Sequence, residues 1–125
     1  MALLTRLIEE RSDLGPADIE WLARVTQEWS LLADLSLSDL ILWVPTWNDA
    51  GLVAVAQVRP TTAPTAVPHD ILGTFSPRGR QPQIDQAAAF ARPVTLRDIQ
   101  YPWVPSGVEA FPIKRLDRVI GVIAR

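Results

Sequence analysis

The sequence predicts an α+β domain: an antiparallel sheet of four to five strands, flanked by N-terminal helices and one crossing helix. Three observations carry that expectation. Helical periodicity fills residues 2–34 and returns only after Pro82, while strand-forming apolar runs come in two pairs, 40–44 with 52–58 and 108–113 with 119–124. The order is helices first, then a hairpin, a helix crossing and a second hairpin, which is that of an α+β fold. Eleven prolines in 125 residues, about twice the usual share, keep the elements short.

Leu3, Leu4, Leu7 and Ile8 recur at helical spacing and predict a short amphipathic helix over 2–11. A helix of that length is unstable alone in water, so its apolar face needs a partner surface, in its own domain or in a second copy. Self-association through the N-terminal helices is therefore expected. Gly15-Pro16 restarts the chain, and Asp18 and Glu20 stand in the first turn of a longer helix over about 16–34, where the helix dipole favours anions. Its apolar stripe is Leu22, Val25, Trp29 and Leu32, with Glu20 and Arg24 paired on the wet side.

From Leu40 the period changes. Leu40 to Val44 and Leu52 to Val58 flank turn residues 48–51 and read as a buried hairpin. Symmetric pairing sets Trp43 opposite Ala54 and Ile41 opposite Ala56, and leaves Gln57 on the face of Leu40, Leu42 and Val55. Both faces are apolar, so the register is free to slip by one. Residues 60–68 read as an extended, proline-rich loop and 76–80 as a second loop. Pro82 opens a third helix with a small-residue face of Ile84, Ala87, Ala88 and Ala91, ended by Pro93. Residues 94–107 read as irregular, before a second hairpin that turns through 114–118.

Composition narrows the function. With 48% hydrophobic and 21% charged residues the chain is a packed globular protein, expected to be one domain over 1–125. A net charge of −2 with no basic cluster excludes a phosphate-tracking surface, so nucleic acid is not an expected partner. No apolar run approaches the roughly 18 residues that cross a bilayer, and the first residues lack the order of a signal peptide. No membrane partner and a cytoplasmic location are expected. Zero cysteines remove disulfides, thiol nucleophiles and zinc ribbons. The one histidine, His69, sits beside Asp70 in the proline-rich loop and reads as a surface turn, not as a catalytic base or part of a metal ligand set. Asp34 and Asp39 flank a helix-to-strand corner and read as caps. No residue pattern names a cofactor.

The stretch Glu28-Trp29-Ser30-Leu31-Leu32-Ala33-Asp34-Leu35-Ser36, continuing through Asp39-Leu40 to Leu42-Trp43-Val44, resembles the N-terminal sensor domain of actinobacterial sensor histidine kinases. The likeness continues through Ala56-Gln57-Val58-Arg59-Pro60 and Leu72-Gly73-Thr74, and returns at Pro112-Ile113 and Asp117-Arg118-Val119-Ile120. Residues 75–107 do not match clearly. The resemblance implies a GAF-like or PAS-like fold, a homodimer, and downstream PAS and kinase domains in a parent chain. It implies a non-catalytic sensor, since this chain has no helix bearing a phospho-accepting histidine and no Asn- and Gly-rich ATP site. Where some relatives carry cysteine in the second strand this chain has Ala54 and Val58, so thiol-based sensing does not carry over.

Two functions follow. In the first, the chain is a sensor that takes a small-molecule ligand or a partner, with Gln57, Arg59, Thr61, Thr62 and Trp43 as the candidate ligand-binding residues. Gln57 must find hydrogen-bond partners among apolar neighbours, from backbone, from the loop after Pro60 or from a ligand, and Arg59 favours an anionic or carbonyl-bearing group. In the second, it is an interaction or dimerisation module without a ligand, using Trp47, Trp103 and the first helix as contact surface. An enclosed cavity with convergent polar groups separates the first from the second.

Overall fold

The structure, a computed structural model, describes residues 2–36, 40–48, 50–58, 72–95 and 109–124. The loop at 60–68 with His69, the cap at Asp39, and Trp103 lie outside the described residues.

Helix α1 spans Ala2–Arg11, and helix α2 spans Pro16–Ser36. Leu4, Leu7 and Ile8, spaced i, i+3, i+4, are buried in the protein's own core. The partner surface that α1 needs is therefore its own domain, and those three residues are not available as a dimer contact. Ser12 ends the helix: its Oγ donates to the Ile8 carbonyl at 2.7 Å and accepts from the Leu14 N–H at 3.3 Å, satisfying groups that a helix end leaves open. In α2, Leu22 and Trp29 are buried, and Glu20 and Arg24 pair at 3.3 Å on the exposed side, as their spacing predicts.

Six strands follow among the described residues: β1 Leu40–Pro45, β2 Gly51–Val58, β3 Phe75–Pro77, β4 Val94–Thr95, β5 Glu109–Arg115 and β6 Arg118–Ala124. They form one antiparallel sheet in the order β3-β2-β1-β6-β5-β4. The four long strands are the two expected hairpins. The edges β3 and β4 fall in segments expected to be loop, because strands of three and two residues are held by pairing to β2 and β5 and not by their own propensity. Helix α3, Pro82–Phe90, lies between them in sequence, with proline at its start.

The sheet buries both faces. One face carries Leu40, Leu42, Val44, Val53, Val55 and Ile120 against α1 and α2; the other carries Trp43, Leu52, Ala54, Val122 and Ala124 against Ile84 and Ala87 of α3. A Cβ on Gly121 would stand 3.1 Å from Leu42 Cδ1 and 3.2 Å from Leu22 Cδ2, so a glycine there lets α2 approach the sheet closely. The β5–β6 hairpin turns on two residues, Leu116 and Asp117, with φ of 52° and 62°. That tight left-handed turn matches the twist of the flanking strands.

Candidate functional site

The local geometry of the β1–β2 hairpin decides where the candidate ligand residues fall. Trp43 faces Ala54, as symmetric pairing predicts, but the register shifts between Leu42 and Trp43, so that Leu42 faces Ala56 and Ile41 faces Gln57. Val55 is the extra residue of a β-bulge, and Val55 and Ala56 both pack on the α1/α2 side. The bulge corrects the expected face of Gln57. Its register partner Ile41 packs with the α3-side cluster, so Gln57 belongs with Ile41 and Trp43 and not with Leu40, Leu42 and Val55. Two of the five candidate residues, Trp43 and Gln57, thus share one sheet face, with Gln57 half-buried. Arg59, Thr61 and Thr62 lie outside the described residues.

Trp43 is 3% exposed among small neighbours, Ala54, Ala87, Ala110 and Ala124, and its Nε1 has no hydrogen-bond partner among the described residues. A second buried polar atom without a partner, Ser76 Oγ, lies on the same side of the sheet, because Ser76 on β3 pairs with Leu52. Most buried polar groups are satisfied, and leaving one unpaired costs about 1–3 kcal/mol. Sequence reasoning missed Ser76. It lies in a Phe-Ser-Pro segment whose strand character comes only from β2, so no local signal marks it.

A groove of about 760 Å³ opens at the end of the sheet, where the β1–β2 turn, the C-terminal turn of α3 and the β5–β6 turn meet. Pro45, Leu52, Ala88 and Val119 give it an apolar lining, and Trp47 and Phe90 stand beside them. Arg78 and Arg118 supply positive charge, and Asp13, Asp85 and Asp117 negative charge. Asp85 Oδ2 accepts from the Gly79 N–H at 2.7 Å, and the Arg92 guanidinium sits 5.5 Å from the centre of the Phe90 ring. Trp47 was expected at a contact surface, and it is exposed here.

The same end of the sheet is tied to the N-terminal helices. Arg115 Nη1 donates to Asp18 Oδ1 at 3.0 Å, Arg118 Nη2 donates to Asp13 Oδ1 at 3.1 Å, and Arg118 Nη1 lies 3.9 Å from Asp18 Oδ2. The Trp47 N–H donates to the Arg11 carbonyl at 2.9 Å. A shallower hollow of about 250 Å³ lies along α2, lined by Ala17, Glu20, Trp21, Arg24 and Arg115. No group of three or more His, Asp or Glu side chains able to hold a metal ion occurs among the described residues. The arrangement is one of binding surfaces and electrostatic ties.

Comparison with known proteins defines the class. The domain has the GAF fold: 79% of the chain superposes, at a TM-score of 0.55 and 22% identity, on 70% of the GAF-B domain of DevS from Mycobacterium smegmatis. The family described as histidine kinase PdtaS, GAF domain, matches residues 4–125, and the chain belongs to it. Sensor histidine kinase PdtaS of Mycobacterium tuberculosis is 36% identical over 131 residues, which cover 100% of this chain and 26% of the relative. The protein of the same name from Mycolicibacterium smegmatis is 40% identical over 76 residues, 61% of this chain and 15% of the relative. A solved sensor region of a sensor histidine kinase matches 100% of the chain and 42% of its own length, with a TM-score of 0.81 and 33% identity. The chain spans about a quarter of the length of these curated relatives. It corresponds to their sensor portion, and the family match takes in 75–107, where the sequence resemblance is faint.

Proposed function

We propose that this domain is the regulatory input module of a cytoplasmic sensor histidine kinase, passing the state of a ligand or partner to downstream PAS and kinase domains of a parent chain. It performs no chemistry of its own. The ligand form of this reading is supported by the buried Trp43 Nε1, which has no hydrogen-bond partner among the described residues, and not by a cavity, since Trp43 and Gln57 line neither of the two hollows. An indole N–H only donates, so the complementary ligand group is an acceptor, a carbonyl or carboxylate oxygen. Gln57 shares the face of Trp43, and Arg59 follows it by two residues with a charge that favours the same class of group. Thr61 and Thr62 complete the proposed set. Trp43 is paired with Val122 of β6, so displacement of β1 by a ligand reaches β6 through the ladder. No helix among the described residues is long and apolar enough to cross a membrane.

Native mass spectrometry of freshly purified protein tests the ligand. A retained small molecule is expected, with its stabilisation in a thermal-shift assay lost in Gln57→Ala and Arg59→Ala while circular dichroism stays unchanged. Protein that emerges without any bound molecule, and whose thermal-shift responses survive both substitutions, overturns the ligand reading.

A further inference from the structure

Local terms oppose closure of the β5–β6 hairpin. Arg115 and Arg118 are register partners that flank its turn directly, so two positive side chains project to the same face from adjoining positions, an arrangement that works against pairing. Between them Leu116 takes a left-handed backbone, with φ of 52°, a conformation that Asn, Asp or Gly adopts more easily. Its side chain is 82% exposed, so packing does not offset that strain. A register shift between Ile113 and Lys114 also sets this end apart from the regular ladder. Two residue pairs remain to close it, Lys114 with Val119 and Arg115 with Arg118.

What closes the hairpin comes from a distant part of the chain. Asp18 reaches both arginines: Oδ1 accepts from Arg115 Nη1 at 3.0 Å, and Oδ2 lies 3.9 Å from Arg118 Nη1. Asp13, in the linker before α2, accepts from Arg118 Nη2 at 3.1 Å. Two carboxylates thus answer two guanidinium groups, and both stand where the chain brings α2 onto the sheet. Ile19, next to Asp18, is buried in the core that α1 and α2 share with the sheet, so the seating of the first turn of α2 fixes where the Asp18 carboxylate stands. A hydrogen bond is gone once its separation reaches about 3.6 Å, so a shift of that turn much smaller than one helical turn releases the hairpin.

We infer that Asp18, with Asp13 beside it, is a latch that makes closure of the β5–β6 hairpin conditional on the seating of α2. With α2 seated, the carboxylates neutralise the facing arginines and the strained turn holds. With the first turn of α2 displaced, Arg115 and Arg118 repel across the turn and residues 114–119 open. Coupling of this kind runs both ways, so opening of the hairpin also loosens the start of α2. The inference stands apart from the ligand reading, which concerns Trp43 and Gln57 on the other face of the sheet.

Amide hydrogen exchange of the full chain, read by NMR at residues 114–119 relative to the amides of β2, tests it. The double variant Asp13→Asn, Asp18→Asn keeps side-chain volume, removes both negative charges and is expected to exchange about tenfold faster there. Adding Arg115→Gln to that variant returns the rate to within about threefold of the parent, because the like charges no longer face each other. A tie that merely attracted would not be restored by removing its arginine. Sodium chloride at about 1 M has opposite effects, speeding exchange in the parent, whose attractions it screens, and slowing it in the double variant, whose repulsion it screens. Ile19→Ala loosens the first turn of α2 without altering a charge; it too speeds exchange at 114–119 relative to β2, and loses that effect when combined with Arg115→Gln. The latch is overturned by a hairpin that keeps its rate without the two carboxylates, by failure of Arg115→Gln to restore it, by salt effects of one sign in both proteins, or by an Ile19→Ala variant in which 114–119 gains no more than β2.

Discussion

Asp18, in the first turn of α2, accepts a 3.0 Å hydrogen bond from Nη1 of Arg115 at the end of β5, 97 residues further along the chain. The carboxylate is largely buried and also lies 3.9 Å from Arg118. The N-terminus of α2 and the carboxylate suit each other electrostatically, and the arginine joins that end of the helix to the β5–β6 hairpin. Asp18→Ala is expected to cost about 1–3 kcal/mol in urea unfolding, since it leaves a partly buried guanidinium without its main partner. Asp13→Ala, which breaks a pair exposed on both sides, is expected to cost less than about 1 kcal/mol. Equal losses in the two variants would show that Asp18 does not act as the principal tie.

Trp43 separates packing from hydrogen bonding. Trp43→Phe keeps most of the apolar contact with the alanines around it and removes the buried N–H, whose isolation costs about 1–3 kcal/mol. The variant is therefore expected to unfold within about 1 kcal/mol of the parent, whereas Trp43→Ala leaves a cavity and costs about 3–5 kcal/mol. Chemical denaturation of both variants checks this, and any ligand retained by the parent should be lost by Trp43→Phe.

Ala91 closes α3 in the left-handed conformation, with φ of 55° and ψ of 38°, its N–H donating to the Ala87 carbonyl. Glycine is the residue that takes that position without a Cβ penalty. Ala91→Gly is expected to raise stability by about 0.5–1 kcal/mol, read as an upward shift of the melting temperature. A lowered melting temperature would mean that contacts of the alanine methyl outweigh the backbone preference.

Much of the fold is legible in local spacing. Leu4, Leu7 and Ile8 mark the buried stripe of α1, Leu22 and Trp29 that of α2, and Glu20 and Arg24 form the pair that an i, i+4 offset predicts. The second hairpin tightens from five expected turn residues to Leu116 and Asp117, which a reading of φ preferences does not suggest for a leucine. Of the candidate site, Trp43 opposite Ala54 was legible, as was the exposure of Trp47.

The sequence by itself determined the helices, the two hairpins and the α+β class, because those depend on periodicity within a dozen residues. Only the tertiary structure decided the face of Gln57, the edge strands and the groove. Alternation assigns a face when one side of a strand is polar, and β1 and β2 are apolar on both, so nothing in the pattern marks Val55 as the extra residue of a bulge. Strands β3 and β4 exist because β2 and β5 offer hydrogen-bonding partners. The groove arises where three turns distant in sequence end at the same height on one sheet, a coincidence set by strand order and register that no short segment encodes.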